Sequence, residues 1–65
     1  MSIKTRNIKY AKKWQKEIIE NAESVMYACR RDEFGDLERR EVIKYNGKYY
    51  RIETLNRRLI EFTEV

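Results

Sequence analysis

Few side chains in this sequence could do covalent or acid–base chemistry, and they are scattered. It has no histidine and a single cysteine, Cys29. A general acid or base needs an enclosed pocket that tunes its pKa, and a chain of 65 residues has little interior to supply one. Cys29 falls in step with an apolar periodicity, where a buried, inert thiol is the expected state. Tyr10 and Tyr27 lie off that apolar arc with no partner that suggests catalysis. A lone cysteine without histidine makes no zinc site and no intramolecular disulfide. The expectation is therefore a protein without catalytic residues, cofactor, metal or small-molecule substrate.

Recognition chemistry is better represented. Lys9, Lys12, Lys13 and Lys16 form a basic stripe around Ile8 and Trp14. Tyr49 and Arg51 belong to a second group, placed on a strand surface. Tryptophan, tyrosine and arginine are the residue types that dominate protein interfaces, and lysine with arginine also meets phosphate. The candidate partner-binding residues are thus Ile8, Lys9, Lys12, Lys13, Trp14, Lys16, Tyr49 and Arg51.

The net charge of +4 hides alternating blocks: +6 over residues 1–16, −5 over 17–38 and +5 over 39–58. Such patterning favours a charged partner: an acidic protein, nucleic acid, or a second copy of the chain. So short a chain is marginal alone, and with disulfide and metal excluded, association remains as the available brace. No apolar run approaches the roughly 20 residues that span a bilayer, and no secretory signal is evident, so the default expectation is a cytoplasmic protein without a membrane partner.

The elements that would position these residues follow from periodicity. Ile8, Ala11, Trp14, Ile18, Ala22, Val25 and Cys29 recur at helical spacing, with Ile19 and Met26 inside the same arc of about 140°. This predicts one amphipathic helix over about residues 6–30, capped by Thr5 and stopped near Gly35. Its charges oppose the helix dipole, with lysines first and Glu17, Glu20 and Glu23 after them. Residues 31–40 read as a connection whose Phe34 and Leu37 tuck into the core edge.

Residues 41–63 read as a three-stranded antiparallel meander. Asn46-Gly47 suits a type I′ turn, which pairs Tyr45 with Lys48, Ile43 with Tyr50 and Glu41 with Ile52. A three-residue loop at Leu55, Asn56 and Arg57 would set Ile60 beside Ile52, Phe62 beside Tyr50, and Glu61 beside Arg51. The expected fold is a single α+β domain over 1–65, a long N-terminal helix packed on this meander. That helix, about 36 Å long, would outrun strands of about 20–23 Å and project Ile8, Ala11 and Trp14 beyond the sheet.

Two functional expectations result. The first is a non-catalytic protein-binding module, homodimeric, that inhibits or regulates a larger macromolecule. Its composition also suits a phage or mobile-element accessory protein directed at a host enzyme or defence factor. The alternative is a small basic nucleic-acid-binding protein, against which stand the missing recognition motifs and the acidic block at 17–38.

Overall fold

In a computed structural model, which describes Ile3 and residues 8–65, the chain is α+β and mostly sheet. Helix α1 spans Lys13–Asn21, followed by strands β1 (Glu23–Arg31), β2 (Leu37–Tyr45), β3 (Lys48–Leu55) and β4 (Arg58–Glu64). The strands form one antiparallel sheet in the order β1-β2-β3-β4. The expected long helix with a three-stranded meander is therefore incorrect: the second half of that helix is the edge strand β1.

The physical reason lies in residues 23–31. Their apolar members satisfy helical spacing, but Val25, Tyr27 and Cys29 also alternate with period two. Ser24, Val25, Tyr27 and Cys29 are among the weaker helix formers, and valine and tyrosine favour strands. Pairing with β2 decides the outcome. α1 retains lysine early and glutamate late, with no acid in its first turn and no base in its last, so its own dipole adds little to its stability. Lys12, not Thr5, is the N-cap; Gln15 Oε1 accepts from the Lys12 N–H at 2.8 Å. Thr5 lies outside the described residues. At the other end Asn21 Nδ2 donates to the Glu17 carbonyl at 2.8 Å.

Gly35 does not stop a helix. It sits at φ +85 in the turn joining β1 to β2, where Asp32 Oδ1 accepts from the N–H groups of Phe34 and Asp36, each at 2.9 Å. Phe34 lies in this turn, 82% exposed, not in the core edge.

The β2–β3 hairpin follows its turn chemistry. Asn46 and Gly47 take φ values of 50 and 76, and the pairs Tyr45–Lys48, Ile43–Tyr50 and Glu41–Ile52 form as expected. The β3–β4 turn differs. Leu55 pairs with Arg58, so the loop has two residues, Asn56 and Arg57, both at positive φ. Continued unchanged, that register would put Glu61 against Ile52. A bulge between the Leu59 and Glu61 pairs shifts it, so Phe62 faces Ile52 and Glu64 faces Tyr50. The energetic conflict is removed by a bulge, not by a longer loop. Arg51 Nε still reaches Glu61 Oε2, at 3.1 Å.

One face of the sheet carries the core. Ile43 and Ile52 meet Ile19 and Ala22 of the helix region and Ile3 of the N-terminal segment. Tyr50 stacks on Phe62 with centroids 5.2 Å apart, and Trp14 meets Phe62 edge-on at 5.4 Å. A polar member of this core is Glu41, 2% exposed. Its Oε1 accepts from the Ile3 N–H at 3.0 Å, and its Oε2 accepts from the Ser24 hydroxyl. These bonds reinforce the packing of Ile3 in the core and the pairing of the start of β1 with β2. Truncating Ile52, which is fully buried, to alanine should cost about 2–5 kcal/mol, read as a lower denaturation midpoint at unchanged m-value.

Candidate functional site

A nine-residue helix cannot cover a four-stranded sheet, and β1 is what it leaves bare. Every residue of Glu23–Arg31 except Tyr27 is exposed. Val25 and Met26 keep 54% and 62% of their surface. The run Val25, Met26, Tyr27, Ala28, Cys29 contains no charge, proline or glycine, the composition from which strands are readily extended. Cys29, expected to be buried on a helix, is exposed on this strand.

The two sheet edges are treated differently. At the start of β4, the Lys9 N–H donates to the Arg57 carbonyl at 2.7 Å and the Leu59 N–H donates to the Lys9 carbonyl at 3.0 Å. Residue 9 thus adds a short parallel bridge that blunts this edge. Among the described residues, no other backbone segment pairs with the outer side of β1. An edge left in this state offers a row of amide and carbonyl groups to another chain.

Beside β1, the sheet face opposite the helix is also open. Met26, Ala28 and Val42 floor a shallow groove of about 220 Å³ flanked by Arg40 and Arg51. Its charges are largely matched within the face. Arg40 bridges Glu38 at 2.8 Å and Glu53 at 3.4 Å, and Arg30 reaches Glu38 at 3.3 Å. The two carboxylates beside Arg40 push its guanidinium pKa further up, so it is charged at every accessible pH. Lys44 Nζ lies 5.7 Å from the centre of the Tyr49 ring.

The residues selected from sequence divide between the two sides. Ile8 packs against the core, and Lys9 forms the edge bridge just described. Lys12, Lys13 and Lys16 are exposed at or in α1, and Trp14 is 51% exposed while meeting Phe62 edge-on. Tyr49 and Arg51 lie on the opposite face. The structure does not gather these groups into one patch, and it removes the overhanging helix that was to present Ile8, Ala11 and Trp14. Sequence reasoning missed β1 itself and the burial of Arg39, Glu41 and Thr54 on the core face. Once Ile43 and Ile52 are placed inward, strand parity points Arg39, Glu41 and Thr54 inward too.

Comparison with known proteins finds no matching family model, no matching curated protein and no matching solved structure. The geometry of β1 must therefore carry the functional reading.

Tyr27 marks the boundary between β1 and the core. Partial burial raises its hydroxyl pKa above the usual tyrosine value; Arg39 opposes the shift, while Cys29 and Glu41 add to it. A raised folded-state pKa favours the neutral phenol, so its contribution to stability is complete below the unfolded pKa of about 10 and is lost as pH rises through the folded value. In an ultraviolet titration of the Tyr27→Phe variant against the parent, the missing phenolate should be the one that ionises above the ordinary range.

Proposed function

We propose that this chain is a non-catalytic protein-binding module that works by strand addition at β1, with a second copy of itself as the first partner. One observation carries the reading: a nine-residue edge strand, exposed on both faces and apolar at its centre, beside an opposite edge that is partly blunted. Main-chain hydrogen bonds would supply affinity, and the side chains of β1 would supply selectivity.

Self-pairing is favoured by charge. β1 begins with Glu23 and ends with Arg30 and Arg31. Antiparallel pairing about a two-fold axis brings the acidic start of one copy toward the basic end of the other, at both ends of the seam. A two-fold axis perpendicular to the sheet makes one continuous eight-stranded sheet with both helices on the same side, and the contact is isologous and closed. It also joins the grooves floored by Met26 and Ala28 across the seam. As an inhibitor or regulator, the module would act by occupying a strand edge or groove of a larger macromolecule.

Nucleic acid is the weaker reading on the Tyr49–Arg51 face. Its arginines are held by Glu38, Glu53 and Glu61, and those carboxylates would repel phosphates.

Sedimentation equilibrium should give twice the chain mass at micromolar concentration, and monomer for Met26→Lys/Ala28→Lys. Hydrogen exchange should show outer-edge amides of β1 protected in the parent and unprotected in the variant. A parent that stays monomeric throughout, with those amides exchanging freely, would remove the self-association reading.

A further inference from the structure

A second surface adjoins the end of the bare strand and differs from it in chemistry. Where β1 ends, β2 begins and β3 turns into β4, a depression of about 320 Å³ is lined by Arg31, Leu37, Arg39, Asn56 and Arg57. Three guanidinium groups border it and no carboxylate does. The nearby carboxylates already accept hydrogen bonds, Asp36 from a side chain of the rim itself. Asp36 Oδ1 accepts from Asn56 Nδ2 at 2.8 Å, and Glu41 is tied to Ile3 and Ser24. This contrasts with the other side of the sheet, where arginines and glutamates are interleaved.

Two further observations separate this cluster from an ordinary basic surface. Arg39 is only 3% exposed, and its Nε–H has no hydrogen-bond partner among the described residues. Directly across the β2–β3 ladder from it stands Thr54, 1% exposed, whose Oγ1 is likewise unpartnered. A buried guanidinium with an unmet donor is costly, and an acceptor carrying negative charge would offset that cost. The second observation concerns the backbone at Arg57, which holds φ at +70. The equivalent position of the other two-residue hairpin is Gly47, at φ +76. Glycine meets that conformation without strain, whereas a long side chain meets it at a cost of about 1 kcal/mol or more. At Arg57 the chain accepts strain and gains a guanidinium at the rim of the depression.

We infer that Arg31, Arg39 and Arg57 form a binding site for a phosphate group, free or carried on a small ester. Phosphate fits better than carboxylate because three positive charges surround one small depression, and a dianion with several acceptor oxygens can bond to more than one guanidinium at once. Arg31 already donates Nη1 to the Gly35 carbonyl at 2.7 Å, which fixes one rim of the site, and Arg57 closes the other from the turn. Arg31 ends β1, whereas Arg39, Asn56 and Arg57 lie on β2 and in the β3–β4 turn, so Arg57→Gly reads this site without touching the β1 seam.

Arg57→Gly tests this directly, because it relieves the backbone strain while removing the rim charge. Arginine Nε–H resonances of the parent should shift and saturate with inorganic phosphate at millimolar concentration, against sodium chloride at equal ionic strength. Adenosine monophosphate and a short single-stranded oligonucleotide, run alongside, show whether the phosphate is best met free, on a nucleotide or on a polymer. Arg57→Gly should keep or raise the thermal midpoint yet weaken phosphate binding by about tenfold or more, the loss of one charge-assisted contact. Arg31→Ala should weaken it similarly. A response in the parent no greater than that to chloride, or an unchanged affinity in both variants, would overturn the assignment.

Discussion

Coverage is the constraint from which the rest of this structure follows. A nine-residue helix is about 13 Å long and 10 Å across. Four strands span about 15 Å, and the longer ones reach about 30 Å. Even with Ile3 and Ile8 adding apolar contacts, the helix shields only the middle of one face. The core is accordingly small, with Ile3, Ile19, Ala22, Ile43 and Ile52 fully inside and a ring of half-buried aromatics about them. What the helix cannot reach must be polar, paired, or available to another molecule. The sheet uses all three solutions in different places: interleaved charge on the outer face, a backbone bridge at the start of β4, and an outer edge of β1 with an apolar centre that no other described segment pairs.

Glu41 shows how a small core can be organised by a polar group. Removing a carboxylate from water is expensive unless its oxygens are satisfied, and here they collect Ile3 and Ser24 from opposite directions. The requirement for those donors places the N-terminal segment and the start of β1 against β2 with a specificity that five aliphatic side chains alone would not give. Arg39, two residues earlier on the same face, lacks such completion. Two neighbouring buried charges of opposite sign thus have opposite local histories: one is fully supplied with donors, the other still has a donor without an acceptor among the described residues.

Legibility in the sequence tracked how local the determining interaction was. The Asn46-Gly47 turn needs two adjacent residues tolerant of positive φ, and its register was read correctly down to the Glu41–Ile52 pair. For β3–β4, the objection to Glu61 facing Ile52 was sound, but a bulge met it where a longer loop was expected; bulges depend on the balance across both strands and have no short signature. Residues 23–31 were misread because Ala22, Val25 and Cys29 fit a helical repeat while Val25, Tyr27 and Cys29 fit a strand repeat. Only pairing with residues 37–44 breaks that tie. The misplaced lysines and glutamates did signal that a long helix was a poor choice. Of the candidate site, Tyr49 and Arg51 were correctly placed on the outer face; β1 and the Arg39 cluster exist only once four strands are assembled.

A bare apolar strand is ordinarily a hazard, and the sequence around β1 bears on whether it is one here. Lysine or proline near the middle of an exposed edge would discourage pairing of any kind. β1 has neither; it keeps charge at its ends alone, acid at Glu23 and base at Arg30 and Arg31. Charge so placed opposes parallel, in-register stacking, in which each end would meet its own sign, and supports antiparallel pairing, in which the signs alternate. An antiparallel pair of edges closed by a two-fold axis uses up the bare side of both copies and leaves no further β1 edge to propagate. In the self-pairing proposed for β1, the distribution of charge along the strand favours a finite assembly over an open-ended one.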